Sequence, residues 1–476
     1  MTTTVALRGS QDDNNLHNGR PSGLIRYEEL TIKSAQSLSF IGHHPQVPRR
    51  SSDDRGQLMQ ATRSHILLTA LTMVAAAMPS FAADLGGNCC ADLEERIAEL
   101  ESTTARKGNR KVSLTISGYV NESVTLWDDG QERNAYVGTN ALEQSRVRFV
   151  GQAKIAEGWN AGYLLELGTN GNSSKAFSQD DLGRASTVTV RKSSWFIENK
   201  ALGKLTVGLD GTATYHLIDD ADAASTRNFS DFEAAGSYIA AFKTRSNGLI
   251  GPKWSDLMGG FNNATPGQSG RSNAVRYDSP SFAGFVVTAA WGEDDLWDAA
   301  LTYKNDAGDF KITARAGYGE STDSAATKGQ CALGAGVRLA CQWWGAGATV
   351  MHAPTGLYVY GGYGSTSVDL GPGQAGLDGE SNSWFVQGGI EHKWSALGKT
   401  TLYGEYRNDN VGLSAAGDNS NLDFWSAGLV QNFDAAAMDM YILYRNYDGD
   451  FNARGAADKT ELDNFDMVIA GAKIAF

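Results

Sequence analysis

Apolar and polar residues alternate with a period of two from Val112 to Phe476, in sixteen separate runs: 112–127, 145–156, 159–168, 187–198, 203–210, 272–278, 283–292, 297–305, 309–319, 342–352, 355–364, 382–394, 399–408, 422–433, 438–447 and 462–476. Period two marks strands whose two faces meet different surroundings. Val147 and Phe149 interleave with Arg146 and Arg148; Phe310, Ile312, Ala314 and Ala316 interleave with Lys311, Thr313 and Arg315. One such run is a weak signal, and the connections carry more. Short ones (157–158, 200–203, 280–282, 306–308, 353–354, 395–398, 434–437) alternate with long ones (128–144, 169–186, 211–271, 320–341, 365–381, 409–421, 448–461), and 293–296 alone breaks the order. A transmembrane barrel sorts its connections this way, because turns on one side need only reverse the strand. The five prolines after residue 82 (Pro252, Pro266, Pro280, Pro354, Pro372) all fall in connections, where no ladder hydrogen bond is lost. Val468, Ala470, Ala472, Ile474 and Phe476 share one face of the final run, which suits closure of the last strand on the first. The pattern predicts an all-β fold, a 16-stranded antiparallel transmembrane β-barrel over 112–476. Trp127, Trp159, Trp195, Trp291, Trp384, Trp425 and Tyr318 lie near strand ends, where interfacial girdles are expected.

Gly211 to Arg271 is the exception, 61 residues without a strand pattern. A loop that long inside a compact domain is functional or disordered. After the fifth strand of a barrel it is expected to fold into the lumen and narrow it.

The chain before Val112 divides in three. Residues 1–58 are polar and aperiodic and read as a disordered or over-read extension. Residues 59–82 combine Arg63, the apolar run Ile66–Met78 and the small residues Ser80 and Ala82, the plan of a signal peptide cleaved before Ala83. Thirteen apolar residues are too few to span a bilayer. Residues 83–111 are expected to be periplasmic and to carry a short amphipathic helix, with Leu93, Ile97 and Leu100 on one side. Export permits disulfides; Cys331 and Cys341 bracket one loop and are expected to pair, while Cys89 and Cys90 are left unassigned.

After cleavage 33 basic and 48 acidic residues remain, a net charge near −15, which argues against nucleic acid as a partner. Sixteen strands enclose a lumen too wide for side chains to fill, so an aqueous channel is expected. What lines its narrowest section then sets function. The long loop gathers Asp219, Asp220, Asp222, Asp231 and Glu233, against Arg227. From the wall, Arg146, Arg148 and Arg315 lie on polar faces, and Arg191, Lys192, Arg407 and Arg445 join them in strands that alternate poorly. Acid facing base across a constriction makes a transverse field that discriminates ions. Overall charge leans towards cations, but most of it sits on loops. The three histidines of the processed chain, His216, His352 and His392, are scattered, and no nucleophile-elbow, zinc-protease or phosphate-loop motif occurs. The reading is therefore not an enzyme, with no cofactor, catalytic or metal residues. A solute-selective channel and an envelope-tethering structural barrel are the alternatives.

The signal peptide, Asp92-Leu-Glu-Glu-Arg-Ile-Ala-Glu-Leu-Glu101, Val112-Ser-Leu-Thr-Ile-Ser-Gly-Tyr-Val120, Val207-Gly-Leu-Asp-Gly-Thr-Ala-Thr-Tyr215, the segment from Arg271 to Phe285 and the terminal Phe476 follow one another in an order that resembles a rhizobial-type alphaproteobacterial porin. The resemblance covers 59–476. It implies a homotrimeric, 16-stranded channel of the Gram-negative outer membrane, passing small hydrophilic solutes and ions by passive diffusion, with the third external loop folded inside. It further implies outer-membrane lipids as surroundings and insertion by the barrel-assembly machinery through the C-terminal strand.

Overall fold

The computed structural model describes residues 111–476 apart from 181–185, 227–228, 230–233, 259–264, 293–294, 323–339, 370–378, 413–416, 454–455 and 457. The expected disordered segment, signal peptide and amphipathic helix, with Cys89, Cys90, Cys331, Arg227, Asp231 and Glu233, lie outside the described residues.

Sixteen strands form the wall: β1 Thr115–Asp128, β2 Arg146–Ala156, β3 Trp159–Asn170, β4 Thr187–Asn199, β5 Gly203–Gly211, β6 Arg271–Asp278, β7 Phe285–Gly292, β8 Leu296–Ala307, β9 Phe310–Ser321, β10 Cys341–His352, β11 Leu357–Val368, β12 Glu380–Ser395, β13 Gly398–Val411, β14 Gly417–Phe433, β15 Met438–Ala453 and β16 Phe465–Ala475. Each pairs antiparallel with its neighbours, and β16 pairs with β1 from Tyr119↔Ala475 to Asp128↔Asp466. Phe476 extends the seam, its amide and carbonyl both bonding Gly118 (3.0 and 2.9 Å). Closure leaves no edge, the condition for a sheet to cross lipid. Among the described residues no helix is long and apolar enough to cross a membrane.

Alternation sends polar side chains inward and apolar ones outward. On β1, Asn121, Ser123 and Thr125 are buried while Val120 and Val124 are exposed. Outward aromatics pair across strands, Trp297 with Tyr318 (5.5 Å), Trp384 with Tyr406 (5.3 Å) and Trp425 with Tyr444 (4.9 Å). Trp127 departs from the expected girdle. Its parity on β1 turns it into the lumen, where it packs on Phe242 (5.2 Å) and Phe465.

Several connections hold more order than the alternation predicts. In the first, Arg133–Thr139 is a strand paired with the upper half of β1, and β2 takes over pairing at Tyr119. The chain between them folds inward, so Asn140 bonds Tyr441 (2.8 Å) and Glu143 meets the Tyr119 hydroxyl. The long loop contains a short helix, Ala234–Ile239, and a hairpin, Lys243–Ser246 with Leu249–Lys253, in which Pro252 sits within a strand.

Candidate functional site

The long loop enters the barrel and packs against one side of it. Asp298 on β8 holds both its feet. This buried carboxylate accepts the Thr212 hydroxyl (2.6 Å), the amides of Ala213 and Thr214 (2.9 and 2.8 Å) and the hydroxyls of Thr214 and Ser269 (2.6 and 3.2 Å). From there the loop crosses to β10 and β11, where glycines make room. A Cβ on Gly364 would stand 2.1 Å from the Pro266 carbonyl oxygen, and one on Gly347 2.8 Å from that of Ile218. Tyr360 donates to the Ile218 carbonyl (2.9 Å) and Thr349 to that of Ala221 (2.7 Å). Beyond, Phe229 stacks on Tyr441 (4.4 Å), and Trp254 meets Tyr447 (5.9 Å). The inner face of β10–β16 covered by the loop is thus a mixed bed, in which large aromatics such as Tyr360, Phe385, Tyr441 and Tyr447 leave water beside buried polar groups such as Thr349, Gln387 and Arg407.

The hairpin reaches the mouth on the long-connection side. Arg245, itself buried, pairs with Asp129 (2.7 Å) and Glu132 (2.8 Å) of the first connection. Asp463 of the last connection accepts the Gly248 amide (2.7 Å). Burial alone would raise the Asp129 pKa; hydrogen bonds from Gln179, the Glu132 amide, Arg245 and the Gln131 amide outweigh it and hold the carboxyl below its ordinary range. Burial alone would lower the Arg245 pKa, and the same two carboxylates raise it instead.

What the loop leaves open along β2–β9 includes a cavity of about 550 Å³. Seven cationic side chains line it: Arg146, Arg148, Arg191, Lys192, Arg276, Lys304 and Arg315. Its lining carboxylates are Glu143, Asp220 and Asp278. Each pairs with a neighbour, Glu143 with Arg146 (3.1 Å), Asp220 with Arg315 (2.7 Å) and Asp278 with Arg276 (3.1 Å). Beneath these side chains on the inner face, Glu166 on β3 has no exposure and gathers Arg148 (2.9 Å), Arg191 (2.9 Å) and Arg146 (3.6 Å). A register shift between β3 and β4 after Glu166 turns both Arg191 and Lys192 inward. Bulges re-aim side chains in this way, and this one explains the poor alternation there.

The expected site residues divide accordingly. Asp220, Arg146, Arg148, Arg191, Lys192 and Arg315 meet at the cavity. Asp219 is fully buried on His216 Nδ1 (2.6 Å), and Asp222 turns towards Thr226 (2.6 Å). Arg407 pairs with Asp409 (2.7 Å) and Arg445 with Glu405 (2.9 Å); both are buried under the loop, at Thr265 and Tyr238. Cys341 is disulfide-bonded, while Cys331 lies outside the described residues. Lys304, Arg276, Glu166 and Asp298 were not singled out from the sequence. Their inward parity was the available signal. Among the described residues no group of three or more His, Cys, Asp or Glu could hold a metal.

A closed barrel with an apolar exterior, a polar interior and a loop that narrows but does not fill the lumen is a transmembrane diffusion channel. The family profile of the Gram-negative porins matches residues 68–452, and the chain belongs to that family. It forms an outer-membrane channel for passive diffusion of small hydrophilic solutes and ions. The fold is shared with a solved porin structure, and further solved structures align less closely. The anion-selective porin from Comamonas acidovorans aligns over 77% of this chain and 100% of its own, with 18% identity and a TM-score of 0.53. OmpT of Vibrio cholerae lacking loop L8 aligns over 77% and 100%, with 13% identity and a TM-score of 0.49. Salmonella typhi OmpF aligns over 78% and 99%, with 12% identity and a TM-score of 0.47. No curated protein matches the chain by sequence.

Proposed function

We propose that this porin prefers anions. The observation that carries the reading is the cavity wall, where seven cations from β2, β4, β6, β8 and β9 outnumber the three lining carboxylates, and still outnumber them when Glu166 and Asp210, which pair with Arg148, Arg191 and Lys192, are added. A narrow, low-dielectric passage lined by one sign of charge concentrates the opposite ion. The chain's net negative charge does not oppose this, since charge on distant loops is screened over roughly 8–10 Å. Asp220 is in direct contact with Arg315 (2.7 Å), so this pair is local to the wall and leaves the excess of cations to set the field in the cavity. The porin from Comamonas acidovorans is named for anion selectivity; the reading here rests on this chain's own side chains.

Export through cleavage before Ala83 and assembly as a homotrimer belong to the same proposal. Exposed aromatics line the outward face of β7–β14 (Trp291, Trp297, Tyr318, Trp344, Trp384, Tyr406, Trp425), and β4 carries Trp195 there beside Val188 and Val190, while β1 carries Val120 and Val124. Glu122 shares the outward face with Val120 and Val124, and a carboxylate is costly against lipid. Contact with another copy would relieve that cost. The seam strand ending in Phe476 supports recognition by the barrel-assembly machinery, and the exposed apolar band supports contact with outer-membrane lipids. The rhizobial-type affiliation rests on the segments quoted above.

The test is liposome swelling with solutes matched in size. Gluconate should enter faster than glucose, and glucosamine slowest. The reverse order of the charged pair would contradict the proposal.

A further inference from the structure

The geometry points to a saturable binding subsite for a divalent oxyanion at the Glu166-centred arginine fan. This rests on the anion-preferring reading and adds a binding step to it. A positive potential alone speeds anions of every kind. Binding needs donors that are held in place and still unspent.

Both conditions are met on β2–β4. Glu166 fixes the Nε of Arg148 and of Arg191, each at 2.9 Å, with Arg146 Nη1 at 3.6 Å. Gln144 adds a second restraint, its side-chain oxygen accepting Arg191 Nη1 (3.0 Å) and its backbone carbonyl accepting Arg146 Nε (3.0 Å). Three guanidinium planes are therefore oriented before any solute arrives. Arg148 spends Nε and Nη2 on Glu166, and Arg191 spends Nε and Nη1. Arg148 Nη1, Arg191 Nη2 and the Lys304 ammonium have no partner among the described residues, and all three residues line the cavity. Arg148 is 40% exposed there while Glu166 behind it is sealed off. Thr212, Tyr215 and His216 of the loop complete the lining, with Lys192 Nζ 5.7 Å from the Tyr215 ring centre.

Guanidinium groups present paired N–H donors that match the spacing of oxygens on phosphate or sulfate, which a halide cannot use in the same way. The nearest cavity carboxylate, Glu143, is engaged by Arg146 and the Tyr119 hydroxyl, so it does not repel an entering anion as an unpaired acid would. Conduction requires such a site to be weak enough to release its ion. The result is a channel that passes divalent oxyanions through a binding step and chloride by simple diffusion.

The experiment uses the refolded processed chain in a planar bilayer at pH 8, where inorganic phosphate is chiefly divalent. Adding phosphate to potassium chloride should reduce the chloride current to a plateau, and sulfate should compete with it. Gluconate, a monovalent anion, should not at equal concentration. Arg148→Gln, at a half-exposed lumen position, should raise the half-blocking phosphate concentration about tenfold, the loss of one charged hydrogen-bonding group. Lys304→Gln should raise it less. A phosphate conductance that rises linearly with concentration, in a channel still reversing towards the chloride potential, overturns the subsite and leaves the anion preference standing. Equal block by gluconate also overturns it. Reversal towards the potassium potential overturns both.

Discussion

The Asp298 carboxylate accepts both the amide and the hydroxyl of Thr214, at 2.8 and 2.6 Å, and so fixes where the long loop leaves the wall. The same oxygens hold Thr212 and Ser269, so one side chain on β8 ties the two ends of the loop together. Asp298→Ala would leave several buried donors unsatisfied, at a cost of about 1–3 kcal/mol each. We expect the loop to loosen at its base while the barrel stays closed. Single-channel records should become noisy with a larger mean conductance, and the far-ultraviolet circular dichroism should stay unchanged.

Glycines on β10 and β11 let the loop lie flat. Gly364→Val would force its side chain into the Pro266 carbonyl, 2.1 Å from the new Cβ. Overpacking of this kind costs about 1–3 kcal/mol. The loop should shift into the cavity and reduce conductance. Gly404→Ala, whose nearest contact would be 3.8 Å away, should conduct like the native protein.

Asp220 is the described loop carboxylate that lines the cavity, and it pairs with Arg315. Asp220→Asn removes a negative charge and releases that guanidinium. Anion preference should rise, read as a further shift of the zero-current potential towards the chloride value. The double variant Asp220→Asn with Arg315→Gln should return close to the native ratio, because the net change in charge is zero.

The hairpin at the mouth is predicted to let go in acid. Hydrogen bonding holds the Asp129 pKa below its ordinary range despite burial. A carboxyl depressed in the folded state contributes stability above its unfolded pKa, about 3.9. That contribution is lost as pH falls from there through the depressed folded value. Current noise should therefore rise on acidification below pH about 4 and not between pH 5 and 8. Arg245→Ala should show the acid-type noise already at pH 7, since it removes the buried partner of Asp129.

Alternation and the sorting of turns were enough to place all sixteen wall strands, because parity and chain reversal are local properties. Val147 and Phe149 outward, with Arg146 and Arg148 inward, could be read directly. Depth and cover could not. Arg407 and Arg445 have the same inward parity as Arg148, yet the loop buries them. Which wall receives the loop depends on Gly345, Gly347, Gly362 and Gly364 becoming neighbours across two strands, a relation between strands that a single run does not reveal. Trp127 misled for a related reason, since a tryptophan near a strand end fits a girdle or a lumen core equally well. Glu166 did leave a trace, an acid between Leu164, Leu165 and Leu167, on the inward parity of β3.

The direct measurement is the zero-current potential of the refolded processed chain in a planar bilayer under a potassium chloride gradient at pH 7. A potential displaced towards the chloride value, moving back when Arg148 and Lys304 are both changed to Gln, is expected. A potential on the potassium side in the native protein would contradict an anion-preferring lumen along β2–β9.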